Sequence, residues 1–219
     1  MFKESFLSGV GGGIITTVLC HPLDTLKIRL QTGKMSINNY HLLYRGITPP
    51  ILSAPFIAAC GFTINEGLKS ENDSFEQKIR NGIITGTCVS LVSLPFDYVK
   101  CRLQTEVLSM RSYSHITRAL PITIIKGMIG GGIYYSTYNH LFQITDNAPL
   151  SGGITGGVLW SIIQPIDTIK TRLLTDTSPS IYTAYQKGRL YRGVGYAVSR
   201  GIVANSIFFG ISEFIKLRI

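Results

Sequence analysis

One pattern, Pro-x-Asp-x-x-Lys-x-Arg, occurs three times in this chain and constrains its fold more than any other feature. The copies are Pro22-Leu-Asp24-Thr-Leu-Lys27-Ile-Arg29, Pro95-Phe-Asp97-Tyr-Val-Lys100-Cys-Arg102 and Pro165-Ile-Asp167-Thr-Ile-Lys170-Thr-Arg172. Their prolines stand 73 and 70 residues apart. A repeat at a nearly fixed period decides architecture before any local reading does. The chain of 219 residues therefore reads as one unit of three modules, with boundaries near residues 1–72, 73–146 and 147–219.

Each motif is reached through an apolar stretch. Six segments lack Asp, Glu, Lys and Arg, apart from Arg200 in the last: Ser5–Leu23, Gly46–Asn65, Asn81–Phe96, Gly127–Thr145, Asn147–Ile166 and Gly193–Ser212. Most approach the ~20 residues that a helix needs to cross a bilayer. Charged residues make up 15% of the chain, against roughly 25% in soluble domains. The net charge of +9 sits at the ends of apolar stretches, which fits a membrane surface and argues against a nucleic-acid partner. Basic loops follow the first, third and fifth stretches, with mixed or acidic ones between, so six spans with both termini on the side opposite the basic loops are expected. Cys20, Cys60, Cys88 and Cys101 lack metal or redox spacing and read as buried thiols. Met1-Phe-Lys-Glu-Ser resembles no cleaved leader, so targeting is expected to be internal. Nothing marks an enzyme or a cofactor site: no nucleophile–base pair and no phosphate-cradling loop stands out. The expected class is an all-α membrane protein of three tandem two-helix repeats in a pseudo-threefold bundle.

The odd stretches carry small-residue pairs four apart, Gly9 with Gly13, Gly82 with Gly86 and Gly152 with Gly156, thirteen or nine residues before each proline. Four-residue spacing puts each pair on one helix face, where a neighbouring helix can approach closely.

Within the motif, proline removes a helix hydrogen bond, and the acid and base three residues apart face neighbouring helices. Charge at membrane depth is costly unless it is paired or faces a wet cavity. One acid and one base per helix close economically into a ring: Asp24–Lys100, Asp97–Lys170 and Asp167–Lys27. The alternative is local pairing of each Asp with its own Lys. A ring of this kind would gate one end of a central cavity, with Gln31 and Gln104 placed to hydrogen-bond across it.

The triplicated motif on three helix pairs resembles the mitochondrial carrier family, over the whole chain. The resemblance implies a six-helix carrier of the mitochondrial inner membrane with its proline ends toward the matrix and both termini toward the intermembrane space, acting as a monomer by alternating access. It also implies a glutamine brace at Gln31 and Gln104. Glu66 with Lys69 and Glu213 with Lys216 resemble the family's cytoplasmic gate; the second repeat has Asn139 where an acid is expected. Tyr44-Arg45-Gly46 and Tyr191-Arg192-Gly193 resemble its cardiolipin headgroup sites, an anion at a helix N-terminus, the alternative being an interfacial Tyr/Arg anchor. The second copy reads Thr117-Arg-Ala119. The repeats are near 70 residues where the family's are near 100, and the shortfall falls on the amphipathic helix after each motif.

Counting seven residues beyond the Tyr-Arg-Gly position, where the family contacts its solute, gives Ser53, Lys126 with Gly127, and Arg200. Two cations suggest an anionic solute, since Arg offers a fork and Lys a point charge. Tyr134 and Tyr138, one turn apart, offer a stacking face or interhelical packing. A nucleotide or deoxynucleotide, moved by exchange, is the expected cargo. Alternatives are a carboxylate or another phosphorylated metabolite, or a degenerate carrier acting as a scaffold.

Overall fold

The charged motifs do not end the apolar stretches; they continue them as helix. Leu, Lys, Arg and Gln after each motif proline are good helix formers, and the first, third and fifth helices run through the motif to its threonine or its last leucine or glutamine. A computed structural model describes residues 2–33, 40–68, 74–105, 114–175 and 177–216, with the side chains of 2–9, 40, 212, 213, 215 and 216 outside the description. The helices are α1 (Phe2–Thr32), α2 (Thr48–Leu68), α3 (Phe75–Gln104), α4 (Ser114–Thr145), α5 (Ala148–Leu174), α6 (Ile181–Gln186) and α7 (Val194–Lys216), and a 3-10 turn covers Tyr40–Tyr44. No strand occurs among the described residues.

Six of these helices have 21 to 32 residues, which at about 1.5 Å per residue reach across a hydrocarbon core ~30 Å thick. The runs His41–Leu68, Phe75–Gln104 and Val194–Ile211 are both long and apolar enough to cross a membrane by composition alone. α1, α4 and α5 match them in length. Each long helix packs on the next in sequence, and α7 returns to α1, so the six close into a ring with α1, α3 and α5 also in mutual contact.

Two crossings in the ring are backbone-close, and glycine is the reason. A methyl added to Gly86 would lie 2.6 Å from the Gly127 carbonyl oxygen, and one added to Gly131 would overlap the Gly82 carbonyl. Between α5 and α7, Gly156 and Gly201 meet in the same manner. The glycine pairs read from the sequence thus lie on packing faces in α3 and α5; Gly13 only touches Ala54, at 3.6 Å for the added methyl.

Helix starts are chemically marked. Ser74 and Gln77 form a reciprocal capping box at α3, and Asn147 accepts from Leu150 N at the start of α5, satisfying amides that have no partner in the first turn. The buried apolar core gathers at the motif half of the bundle, around Leu94, Tyr98, Ile122, Ile169 and Leu173. Leu19, Leu52, Phe56, Ile144 and Ile162 are exposed on the outside, as a lipid-facing surface requires. After the third motif, six-residue α6 is what remains of a surface helix. Of the four thiols, Cys20 and Cys101 are buried, while Cys60 and Cys88 are half-buried.

Candidate functional site: an axial cavity closed by ion pairs

Where α1, α3 and α5 converge, each motif lysine reaches the acid of a neighbouring helix. Lys100 Nζ lies 2.5 Å from Asp24 Oδ2, Lys170 Nζ 2.7 Å from Asp97 Oδ2, and Lys27 Nζ 2.5 Å from Asp167 Oδ2. These are the three interhelical pairings that follow from threefold reasoning, and local Asp–Lys pairing within one helix is not what the geometry contains. The pairs differ in exposure: the Asp97 side chain is 35% exposed, against 12% for Asp24 and 9% for Asp167.

A second ring lies one turn further along the helices. The motif arginines donate to the last carbonyls of the neighbouring helix: Arg29 Nε to Gln104 O, Arg102 Nε to Leu174 O, and Arg172 Nε to Gln31 O. Carbonyls at a helix C-terminus lack intrahelical donors and carry the negative end of its dipole, so a buried guanidinium there meets both needs. Gln31 Nε2 donates to Thr168 Oγ1 at 3.1 Å and to Asp167 Oδ2 at 3.4 Å, touching the Lys27–Asp167 pair. Gln104 Nε2 instead donates to Thr25 Oγ1 at 2.8 Å and lies 3.3 Å from His21 Nε2. It ties α3 to α1 beside the Asp24–Lys100 pair rather than across it.

Above the ion pairs is a cavity of about 360 Å³, lined by the six Asp and Lys residues of those pairs and by Ile57, Ser90, Ser93, Trp160, Lys126 and Arg200, among others. Lys126 Nζ stands 2.5 Å from Asp167 Oδ1, and Arg200 Nε stands 2.8 Å from Asp24 Oδ1. Two of the three acids therefore hold a second cation. Trp160, the chain's single tryptophan, lies at the centre of this group: Lys27 Nζ is 3.8 Å from the ring centroid, Lys126 Nζ 5.3 Å and Arg200 Cζ 5.4 Å. Those distances fall within the range where a ring face attracts a cation.

Residues 2–72 and 146–219 match the family described as mitochondrial carrier protein, more than half of the chain. The chain belongs to the mitochondrial carrier family. Similar curated proteins include mitochondrial ornithine transporter 1 of Schizosaccharomyces pombe, 26% identical over 272 aligned positions that cover 97% of this chain and 92% of that protein. The mitochondrial arginine transporter BAC2 of Arabidopsis thaliana is 26% identical, with 96% and 89% covered. The human mitochondrial carnitine/acylcarnitine carrier protein is 24% identical, with 94% and 91% covered. This carrier is thus a mitochondrial membrane transporter of a small solute, not an enzyme.

The remaining residues singled out from the sequence are scattered. Ser53 is buried, donates to Pro50 O at 3.0 Å and is not on the cavity wall; Ile57, one turn further along α2, is. Gly127 packs against Gly86 and Thr87 of α3 and serves the crossing, not the cavity. Tyr134 and Tyr138 stack on each other at 6.2 Å, Tyr138 lies 4.7 Å from Phe209, and the Tyr134 hydroxyl donates to Asn205 Oδ1. They join α4 to α7, which are not neighbours in the ring, and neither lines the cavity.

At the other end of the bundle, Glu66 is exposed; Lys69 lies outside the described residues, as do the side chains of Glu213 and Lys216. Asn139 bonds locally to Tyr135 O. Just before α2 and α7, Gly46 and Gly193 take positive φ of 78° and 85°, a region that favours glycine. Gly46 fits against Lys100 O and Leu103, and Gly193 against Lys27 O and Leu30. The carbonyls of Arg45 and Arg192 are in contact with His21 Nε2 and Gln164 Nε2. The corresponding Thr117–Ala119 is not a helix start at all: it lies inside α4, with Ala119 fully buried.

Trp160 is the cavity-lining residue beside these cations that the sequence reading does not single out. Its signal was its being the one tryptophan, in an apolar stretch two turns before Asp167.

Proposed function

We infer that this carrier moves a small solute bearing a carboxylate across the mitochondrial inner membrane, by alternating access through the axial cavity. The observation that carries the reading is the charge of the cavity wall. Five cations, Lys27, Lys100, Lys126, Lys170 and Arg200, face three carboxylates, Asp24, Asp97 and Asp167, which leaves positive charge for an anionic group to satisfy. The half-exposed Asp97 offers a counterpart for a cationic nitrogen on the same solute. The relatives named for ornithine, arginine and carnitine carry names of compounds that combine a carboxylate with a cationic nitrogen.

A nucleotide would also answer the excess of positive charge, through its phosphates. The tyrosines that were to hold its base, however, are engaged with each other and with Phe209, so the carboxylate reading is preferred. In the same proposal the motif ion pairs are the matrix gate and Gln31 and Gln104 its brace. Glu66, Lys69, Glu213 and Lys216 belong to the opposite gate, and both termini face the intermembrane space. The chain works as a monomer of three tandem repeats. An anionic lipid such as cardiolipin is expected at Arg45–Gly46 and Arg192–Gly193.

The test is uptake into liposomes that hold the purified protein. The panel comprises amino acids, carnitine, di- and tricarboxylates, phosphate, and ribo- and deoxynucleotides, each with and without internal solute. Saturable uptake of a carboxylate solute is expected, and stimulation by internal solute would establish exchange. Uptake of nucleotides alone would overturn the carboxylate reading.

A further inference from the structure

Two of the four thiols meet at one seam. Cys60 on α2 and Cys88 on α3 stand 28 residues apart in sequence, yet the contacts beside them draw the two helices together there. At the next residue of each helix, a methyl added to Gly61 would touch Val89 Cγ2 at 3.7 Å. One turn before Cys60, Phe56 stacks on Phe96 at 5.8 Å. The two thiols are close enough to influence each other electrostatically, and both are only half-buried. Ile57, Val89 and Ser90, all within a turn of them, line the axial cavity, so a small molecule there has a path to the seam. Cys20 and Cys101, by contrast, are 1% and 5% exposed.

We propose that Cys60 and Cys88 are a redox-active pair, which a hydroperoxide oxidises to a disulfide that ties the first repeat to the second. One thiol attacks the peroxide O–O bond and becomes a sulfenic acid, releasing one water. The second thiol displaces the sulfenic oxygen as another water, and the S–S bond forms. Two electrons leave the sulfurs, and one hydrogen peroxide is reduced to two waters. The oxidant is a small neutral peroxide because both cysteines lie within apolar runs long enough to cross a membrane, where a charged oxidant is costly to desolvate. α2 buries only Pro49 and Ser53, so a covalent bond has more freedom to remove there than on a tightly packed helix. Alternating access requires the repeats to move past one another, so the bond is a brake on that movement. This step alone rests on the transport reading above.

The experiment treats proteoliposomes with hydrogen peroxide, without any added solute. Remaining thiols are then trapped with a maleimide, and the peptides are resolved by mass spectrometry before and after reduction. The peptides of Cys60 and Cys88 should be joined with the loss of two hydrogens and separate on reduction, with Cys20 and Cys101 still reduced. The linked protein should unfold several degrees higher in detergent, as a closed loop constrains the unfolded chain. Its cavity-lining Cys101 should alkylate several-fold more slowly. Cys60→Ser and Cys88→Ser, treated alike, should show neither change. Absence of the joined peptides, whatever becomes of the single thiols, would overturn the pair. Full linkage with an unaltered Cys101 rate would overturn the brake, and so would an equal slowing in the serine variants. No transported solute enters these measurements, so a wrong cargo assignment leaves their result intact.

Discussion

Arg172 on α5 donates through Nε to the carbonyl of Gln31 at the end of α1, and through its two terminal nitrogens to Ala184 O at 2.7 Å and Gly188 O at 2.9 Å. One guanidinium thus joins α1, α5 and the short α6. Charge-assisted hydrogen bonds are worth about 1.5–3 kcal/mol, and removing the donor also strands buried carbonyls. Arg172→Ala should cost at least that much, seen as a lower unfolding temperature in detergent. Arg172→Lys should recover little, because an ammonium cannot reproduce the planar fork. Wild-type stability of the lysine variant would show that charge alone is at work.

The Asp97–Lys170 pair is open to a direct test by charge reversal. Asp97→Lys places two cations together at the convergence of α3 and α5 and should suppress uptake. Adding Lys170→Asp restores opposite charges across the same 2.7 Å contact and should recover part of the activity. Paired charges in a wet cavity are worth only about 1 kcal/mol, so partial recovery, not full, is expected. A double variant as inactive as Asp97→Lys would remove this pair from the mechanism.

Trp160 is the chain's one tryptophan and lies among the cavity cations, so its fluorescence reports on them without any label. A solute that draws Lys126 and Arg200 from the ring should change the emission intensity in a saturable manner. The half-saturation should match that of uptake. Trp160→Phe keeps an apolar ring with a weaker attraction for cations; it should abolish the signal and weaken uptake. Emission that stays constant through saturating uptake would place the ring outside the transport cycle.

The bundle and its ion pairs were legible because both follow from repetition. Three copies of one motif, each at the end of an apolar stretch, fix six long helices, and a single acid and base per copy leave few ways to neutralise buried charge. Contacts that break the threefold pattern were not legible in the same way. Ser53 and Ile57 lie on nearly the same face of α2, one turn apart. Counting from a loop cannot say which one reaches the cavity, whereas in α7 the same count led to Arg200. Tyr134 and Tyr138 were visible as neighbours on a helix, but whether their faces met a ligand or Phe209 depended on the rotation of α7. Trp160 belonged to no repeated position, and its three cations come from three different helices.

The α3–α4 crossing gives a last prediction, in which one substitution has opposite effects at two glycines of the bundle. A methyl at Gly131 would overlap the Gly82 carbonyl of α3 and lie 3.2 Å from the Gly86 Cα. These are backbone atoms that cannot rotate away, so Gly131→Ala must push the helices apart. Overfilling a packed site costs typically ~1–3 kcal/mol, and here the cost should reach the upper end. At Gly11 in α1 an added methyl meets nothing within 4 Å. There the higher helix propensity of alanine should act alone, stabilising by up to about 1 kcal/mol. Thermal unfolding of both variants in the same detergent reads the comparison. A Gly131→Ala variant as stable as wild type would mean that α3 and α4 do not meet at their backbones, and the packing role assigned to the four-residue glycine pairs would fall with it.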